Sequence, residues 1–137
     1  SEYYHPDVLQ MLRQALATPP SDIINAVQFR DILRAEVFGA FRTAEVEFLV
    51  TPTTPRVAMP LSTFEPTDEL GSLIPYTCGF NLTGQPAISV PCGFTAGKLP
   101  IGLQFVGLPF QDVNVLEIAL AYERRTSWHR MRPPIAQ

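Results

Sequence analysis

Two spacings of apolar residues divide this chain. In its first third the spacing is helical. Val8, Leu9, Leu12, Ala15 and Leu16 fall at i, i+1, i+4, i+7 and i+8, the stripe of an amphipathic helix. Pro6 suits the first turn of that helix and Asp7 its positive end, and Thr18-Pro19-Pro20 stops it. Ser21 is a natural N-cap for a longer helix over residues 22–44, with Phe29, Leu33, Val37, Ala40 and Phe41 along one face. Gly39 lies inside that helix, where it costs about 1 kcal/mol against alanine. Close packing against a neighbour would account for it.

The spacing then shortens. FLVT at residues 48–51 reads as a buried strand that Pro52 terminates. Residues 52–72 form a long irregular connection rich in Pro and Thr, with Glu65, Asp68 and Glu69 as a solvated acidic face. Connections of this kind carry function or border a site. A short helix within residues 71–82 leads to two Ile/Val-rich runs, AISVPC at 87–92 and IGLQFV at 101–106. With Gly and Pro punctuating the stretch between them, they predict an antiparallel hairpin. Residues 107–111 form a turn, and Asp112 caps a final helix to about Thr126. Its buried stripe is Val115, Leu116, Ala119, Leu120 and Tyr122, and Trp128 and His129 follow its end. Arg132-Pro133-Pro134 closes the ordered part.

These elements predict an α/β fold of mixed-sheet strands flanked by helices. A helical segment, residues 1–45, precedes an α/β portion, residues 46–134. About three strands are few for an independent sheet. The expectation is a piece of a larger sheet, and a first residue of serine rather than methionine points the same way.

Composition sharpens this picture. A chain of 137 residues is long enough for one domain with a core. Charged residues are only 17%, below the usual quarter of a soluble domain, which suggests surface meant to be covered. Net charge is −3, Lys98 is the one lysine, and the nine arginines are scattered. No basic stripe exists to neutralise phosphates, so direct nucleic-acid binding is not expected. No apolar run has membrane-spanning length, and no secretory pattern opens the chain. Cys78 and Cys92 do not make a disulfide framework and read as small buried hydrophobes. A cytoplasmic protein with no membrane partner fits best.

Few residues offer chemistry. Ser89 and Lys98 are the candidate Ser–Lys pair, but a lysine in a Gly-Lys turn stays solvated and charged. His5 and His129 are the two histidines, and no Cys/His cluster has zinc spacing. The sequence contains no G-x-S-x-G elbow, no GxxxxGK[ST] and no GxGxxG. No metal or cofactor is therefore expected. Asn81, between Phe80 and Leu82 at the approach to a buried strand, must find partners. It caps the turn at Gly84 or shapes a pocket.

The run FNLTGQPAISVPCGF at 80–94 resembles the amidase signature family. The resemblance continues through LPIGLQFVGLPFQDVNVLEIALAYERRTSWH at 99–129, and FLVTPTTP at 48–55 is similar to the family's strand followed by PT-x-P. Several motifs in the right order make it specific over residues 46–134. It implies a large mixed sheet between helices and amide hydrolysis by a Ser–Ser–Lys triad. In that scheme one serine attacks the carbonyl, a second relays the proton to a neutral lysine, and backbone N–H groups hold the oxyanion. The family's Gly/Ser-rich signature and its lysine belong to regions without a counterpart here. No catalytic residue is carried over.

A pocket wall is carried over instead. In relatives the segment before the hairpin borders the substrate cleft, which here is IPYTCGF at 74–80. The resemblance thus implicates Ile74, Thr77, Cys78, Phe80 and Asn81. The A subunits of aminoacyl-tRNA amidotransferases, which belong to the family, usually carry an aspartate where this chain has Ile74. An apolar residue there favours a general amidase over a glutamine-fed ammonia pathway. The resemblance implies the C-terminal portion of a hydrolase that converts carboxamides to carboxylate and ammonia or amine, inactive alone. Its partners would be a small-molecule amide, the N-terminal remainder of the domain and a possible homo-oligomer. Two alternatives stand: the A subunit of a tRNA-dependent amidotransferase, and a non-catalytic partner-binding module that kept only the scaffold.

Overall fold

A computed structural model describes residues 3–64 and 71–132. The acidic residues Glu65, Asp68 and Glu69, and Pro133 and Pro134, lie outside the described residues. Helices α1 (Pro6–Leu16) and α2 (Pro20–Ala44) form where helical spacing predicts them, but α2 begins earlier. Pro20 takes the first helical position and Pro19 is the cap, so Ser21 lies inside the helix and is not its N-cap. The Ser21 hydroxyl instead donates to the Asp22 carboxylate at 3.3 Å. Proline's φ is already helical, which lets the chain enter the helix before a serine cap would start it.

The expected face of α2 is covered only at its C-terminal end. Phe41 is buried and Leu33 and Val37 are half-buried, whereas Ala40 is exposed and Phe29 is 60% exposed. Beyond its chain neighbours and its own helix backbone, no described atom lies within 4 Å of where a Cβ on Gly39 would sit, so the close neighbour expected there is not found. Glu45 ends α2 in the left-handed region, φ 53, and the Val46 N–H closes on the Phe41 carbonyl at 3.2 Å.

Strands β1 (Phe48–Pro52), β2 (Ala87–Phe94) and β3 (Pro100–Gly107) form an antiparallel sheet in the order β1-β3-β2. Thr51 and Ser89 both stand opposite Gln104, one from each side. β1 ends at Pro52 as expected, though Pro52 is itself paired with Leu103, and just past it the Thr53 N–H reaches the Gly102 carbonyl at 3.0 Å. An edge strand tolerates a proline that a central strand would not. Cys92 is the extra residue of a bulge between the Pro91–Gly102 and Gly93–Ile101 pairs. The strands run longer than the apolar runs predict, leaving residues 95–99 as the loop. Lys98 is left-handed there, φ 63, and Thr95 clamps the loop by accepting from the Leu99 N–H on its side-chain oxygen.

The short helix expected within residues 71–82 is α3, Cys78–Thr83; ahead of it residues 71–73 are helical and the chain turns. The last helix, α4, is Asp112–Arg125. Its cap is Gln111, and Asp112 is the first helical residue rather than the cap. There its carboxylate still faces the positive end of the helix.

Alternation gives the sheet two unlike faces. On one, Ile88, Val90, Leu103 and Phe105 meet Ile118, Ala119 and Tyr122 of α4. Phe105 lies edge-on to Tyr122, centroids 5.7 Å apart. This is a small core, because α4 packs along a stripe narrower than its apolar pattern. Val115 and Ala119 are buried, but Leu116 and Leu120 are 59% and 46% exposed. Burial raises the Tyr122 phenol above its ordinary 10.0, and the Cys92 thiol beside it adds to the rise. A phenol easier to ionise in the unfolded chain contributes stability that is present below pH 10.0 and lost as pH climbs through it. Tyr122→Phe is expected to flatten that loss, read as the denaturant midpoint against pH between about 9 and 11. A midpoint that falls equally in both proteins would count against it.

Candidate active-site wall

The other face of the sheet carries a polar row: Thr51, Gln104 and Ser89, side by side across the three strands. Gln104 is only 4% exposed. Its Nε2 donates to the Thr51 hydroxyl at 3.0 Å and to the Tyr76 carbonyl at 2.8 Å. The second bond fastens the segment before α3 over the central strand.

That segment is a tight turn. The Ile74 carbonyl accepts from the Thr77 and Cys78 N–H groups at 3.0 and 2.9 Å and from the Thr77 hydroxyl at 3.2 Å. Ile74 is 41% exposed, Thr77, Cys78 and Phe80 are half-buried, and Asn81 is exposed. Asn81 lies within α3 rather than at a strand entrance, its N–H bonded to the Thr77 carbonyl at 3.2 Å. The turn at Gly84 is made by that glycine's left-handed backbone, φ 73, with its N–H on the Phe80 carbonyl at 2.9 Å. So Ile74, Thr77 and Cys78 share one turn, while Phe80 and Asn81 follow on the helix.

A second anchor lies at the far end of α3. The buried Thr83 hydroxyl donates to the Gly79 carbonyl at 3.1 Å and meets the Gln85 Oε1 at 2.9 Å. Gln85, also buried, donates its Nε2 to the Gly107 carbonyl at 3.0 Å. Residues 74–85 are therefore tied to β3 at two points, Gln104 and Gly107. Leaving such buried amides unpaired would cost about 1–3 kcal/mol each, so their bonds hold the segment in place. Sequence reasoning missed Thr83, Gln85 and Gln104. The available signal was a long polar side chain between Leu103 and Phe105, inside an apolar run.

Beyond the row, Ser89 reaches across Gly102 to Thr53, their hydroxyl oxygens 2.6 Å apart. A Cβ on Gly102 would stand 2.7 Å from the Thr53 Oγ1 and 3.1 Å from the Ser89 Oγ, so only glycine leaves room for the pair. Gly102 also lines a cavity of about 180 Å³ with Pro52, Thr54, Arg56 and Val57. A larger, open one, about 450 Å³, shares Thr54, Arg56 and Val57 and is also lined by Met59, Leu61, Phe64 and Leu73. The irregular connection after β1 thus builds cavities, and Arg56 in it donates to the Ser72 hydroxyl.

The other sequence candidates lie apart. Ser89 is engaged with Thr53, whereas Lys98 lines an apolar recess of about 720 Å³ with Phe94, Trp128 and His129. His5 pairs with Asp7 at 3.4 Å on the surface. Cys78 and Cys92 are free thiols, half-buried rather than fully packed away. Among the described residues, no three His, Cys, Asp or Glu side chains cluster as a metal ion would need. No described helix is long and apolar enough to cross a membrane.

A family model described as Amidase matches residues 7–116. The A subunit of the Glutamyl-tRNA(Gln) amidotransferase from Thermodesulfovibrio yellowstonii is 42% identical over 110 residues, which is 79% of this chain and 22% of that protein. A crystal structure of an amidase superposes on 92% of the chain and 30% of its own length, with TM-score 0.78 and 32% identity. The A subunit of the Glutamyl-tRNA(Gln) amidotransferase of Thermotoga maritima covers 92% of the chain and 28% of its own, with TM-score 0.71 and 28% identity. The chain thus spans less than a third of the length of the proteins it matches.

Proposed function

The chain belongs to the amidase signature family, and from that premise we propose that it is the C-terminal portion of a carboxamide hydrolase. It supplies sheet strands, packing helices and one wall of the substrate cleft, while the nucleophile and its lysine reside in the N-terminal remainder. The match over residues 7–116 carries this reading. The exposed apolar side chains of α2 and α4, among them Ile24, Phe29, Ile32, Leu116 and Leu120, support a remainder packed against them. Within the chain, residues 1–45 act as the helical segment and 46–134 as the α/β portion. The wall residues are Ile74, Thr77, Cys78, Phe80 and Asn81, held over β3 by Gln104.

Ile74 sets the substrate class. A glutamine site has to satisfy the ammonium group of the amino acid, and a buried cation needs a paired charge. An exposed isoleucine on the wall offers none, so the amide taken is a simple carboxamide. The competing reading, the A subunit of an amidotransferase that draws ammonia from glutamine, is favoured by 42% identity to such a protein. The two separate in one experiment. The full-length gene product is expected to release ammonia from simple aliphatic amides faster than from glutamine, and the 137-residue chain alone to release none from either. Glutamine as the preferred substrate would transfer the protein to the second reading. Turnover by the purified 137-residue chain would refute the placement of the triad elsewhere.

A further inference from the structure

We infer that the recess between the β2–β3 loop and the chain after α4 binds a carboxylate that carries an apolar body, an inference that does not depend on the amidase reading. The walls of the recess are apolar: Pro91 and Phe94 come from β2, Trp128 and Met131 from the chain beyond α4. The Phe94 and Trp128 rings bring the two sides together, centroids 6.1 Å apart. The volume, about 720 Å³, lies in the range of about 300–1,000 Å³ typical of small-molecule sites. Such walls suit a hydrocarbon chain or a ring. The charges around them say what else the occupant carries.

Three basic side chains, Lys98, His129 and Arg132, line the same recess, and no acidic one does among the described residues. The ion pairs of the described residues are His5–Asp7 and Arg30–Asp31, so neither Lys98 nor Arg132 has a carboxylate partner there. Arg132 makes one long bond, 3.5 Å, to the His129 carbonyl and keeps other N–H donors for a ligand. The His129 Nδ1 is buried without a hydrogen-bond partner among the described residues, and an imidazole nitrogen can carry the proton that an oxyanion accepts. Lys98 holds a left-handed backbone, φ 63, which favours glycine or asparagine over lysine. The turn therefore does not account for a lysine at this position, whereas a cation beside the recess does. Unpaired cations next to apolar walls are complementary to an amphiphilic anion. The apolar walls favour a single charge, because a second would add its own desolvation cost, so a carboxylate fits better than a phosphate dianion.

The test is calorimetric titration of the full-length gene product with octanoate, 1-octanol and acetate. Octanoate is expected to bind about tenfold more tightly than octanol, which lacks the charge, and about a hundredfold more tightly than acetate, which lacks the chain. Lys98→Asn, which suits the left-handed backbone, and Arg132→Gln are each expected to weaken octanoate about threefold to tenfold and to leave octanol within about twofold. Lys98 and Arg132 are both exposed, so neither change disturbs packing. Octanol bound as tightly as octanoate overturns the inference, since the recess would then take apolar bodies whatever their charge. Octanoate binding that neither variant weakens overturns it as well, because the anion would then lie elsewhere in the full-length protein. So does the absence of octanoate binding. A melting temperature lowered by Lys98→Glu would in that case assign the recess to an acidic segment of the full-length protein. None of these outcomes touches the amidase reading, which amide turnover tests by itself.

Discussion

Phe105→Ala is expected to leave the 137-residue chain largely unfolded without denaturant. Phe105 is 6% exposed at the middle of the central strand, and it is the one buried ring among the described residues of the α4-facing core. Truncating a buried phenylalanine costs about 3–5 kcal/mol, from lost transfer energy plus the cavity left behind. The cavity would not collapse easily, because β3 is held on both sides by hydrogen-bonded strands. The edge contact with Tyr122 is lost as well. Small domains are stable by about 5–15 kcal/mol, and a core of this size places the chain at the lower end. Phe105→Leu keeps most of the volume and is expected to cost less than about 2 kcal/mol. Urea titrations followed by far-ultraviolet dichroism would compare the three proteins. A midpoint for the alanine variant close to that of the leucine variant would show that the core lies elsewhere.

Gln104→Leu is expected to cost about 2–4 kcal/mol, from two buried hydrogen bonds lost and two partners left unsatisfied. The Tyr76 carbonyl and the Thr51 hydroxyl both lose the Nε2 that served them. The loss should be local before it is global: the Thr77 and Cys78 amides, which close the turn on Ile74, should exchange with solvent sooner than those of β3. Gln104→Glu is expected to be worse at neutral pH, because an ionised carboxylate has no proton for the Tyr76 carbonyl and faces its oxygen, although the Thr51 hydroxyl can turn to donate to it. Amide hydrogen exchange measured residue by residue would decide. Equal acceleration along β3 and the turn would mean that Gln104 stabilises the sheet and does not specifically hold the wall.

The helices and the hairpin were legible because period and punctuation are local properties. Their ends were less so. Ser21 and Asp112 are residue types that cap helices, but the actual boundary is chosen by backbone angles that Pro19, Pro20 and Gln111 set. The apolar stripe of α4 promised Leu116 and Leu120 a core, and the three described strands cover only a narrower band of the helix. The site was less visible still. Gln104 reads as the outward residue of an alternating strand, and it is buried only because residues 74–77 return over the sheet from elsewhere in the chain. Pairing of Thr53 with Ser89 is equally non-local, a consequence of β1 and β2 flanking the same glycine.

The strand order has a consequence during synthesis. Of the three described strands, the one in the middle leaves the ribosome last, so β1 and β2 emerge before the strand that pairs with both. Roughly fifty residues separate the end of β1 from the start of its ladder partner, a loop whose closure makes this sheet slow to nucleate. Until Gly107 has emerged, β1 and β2 lack the ladder that joins them. A translational pause before that codon would prolong the interval in which chaperones must shield them.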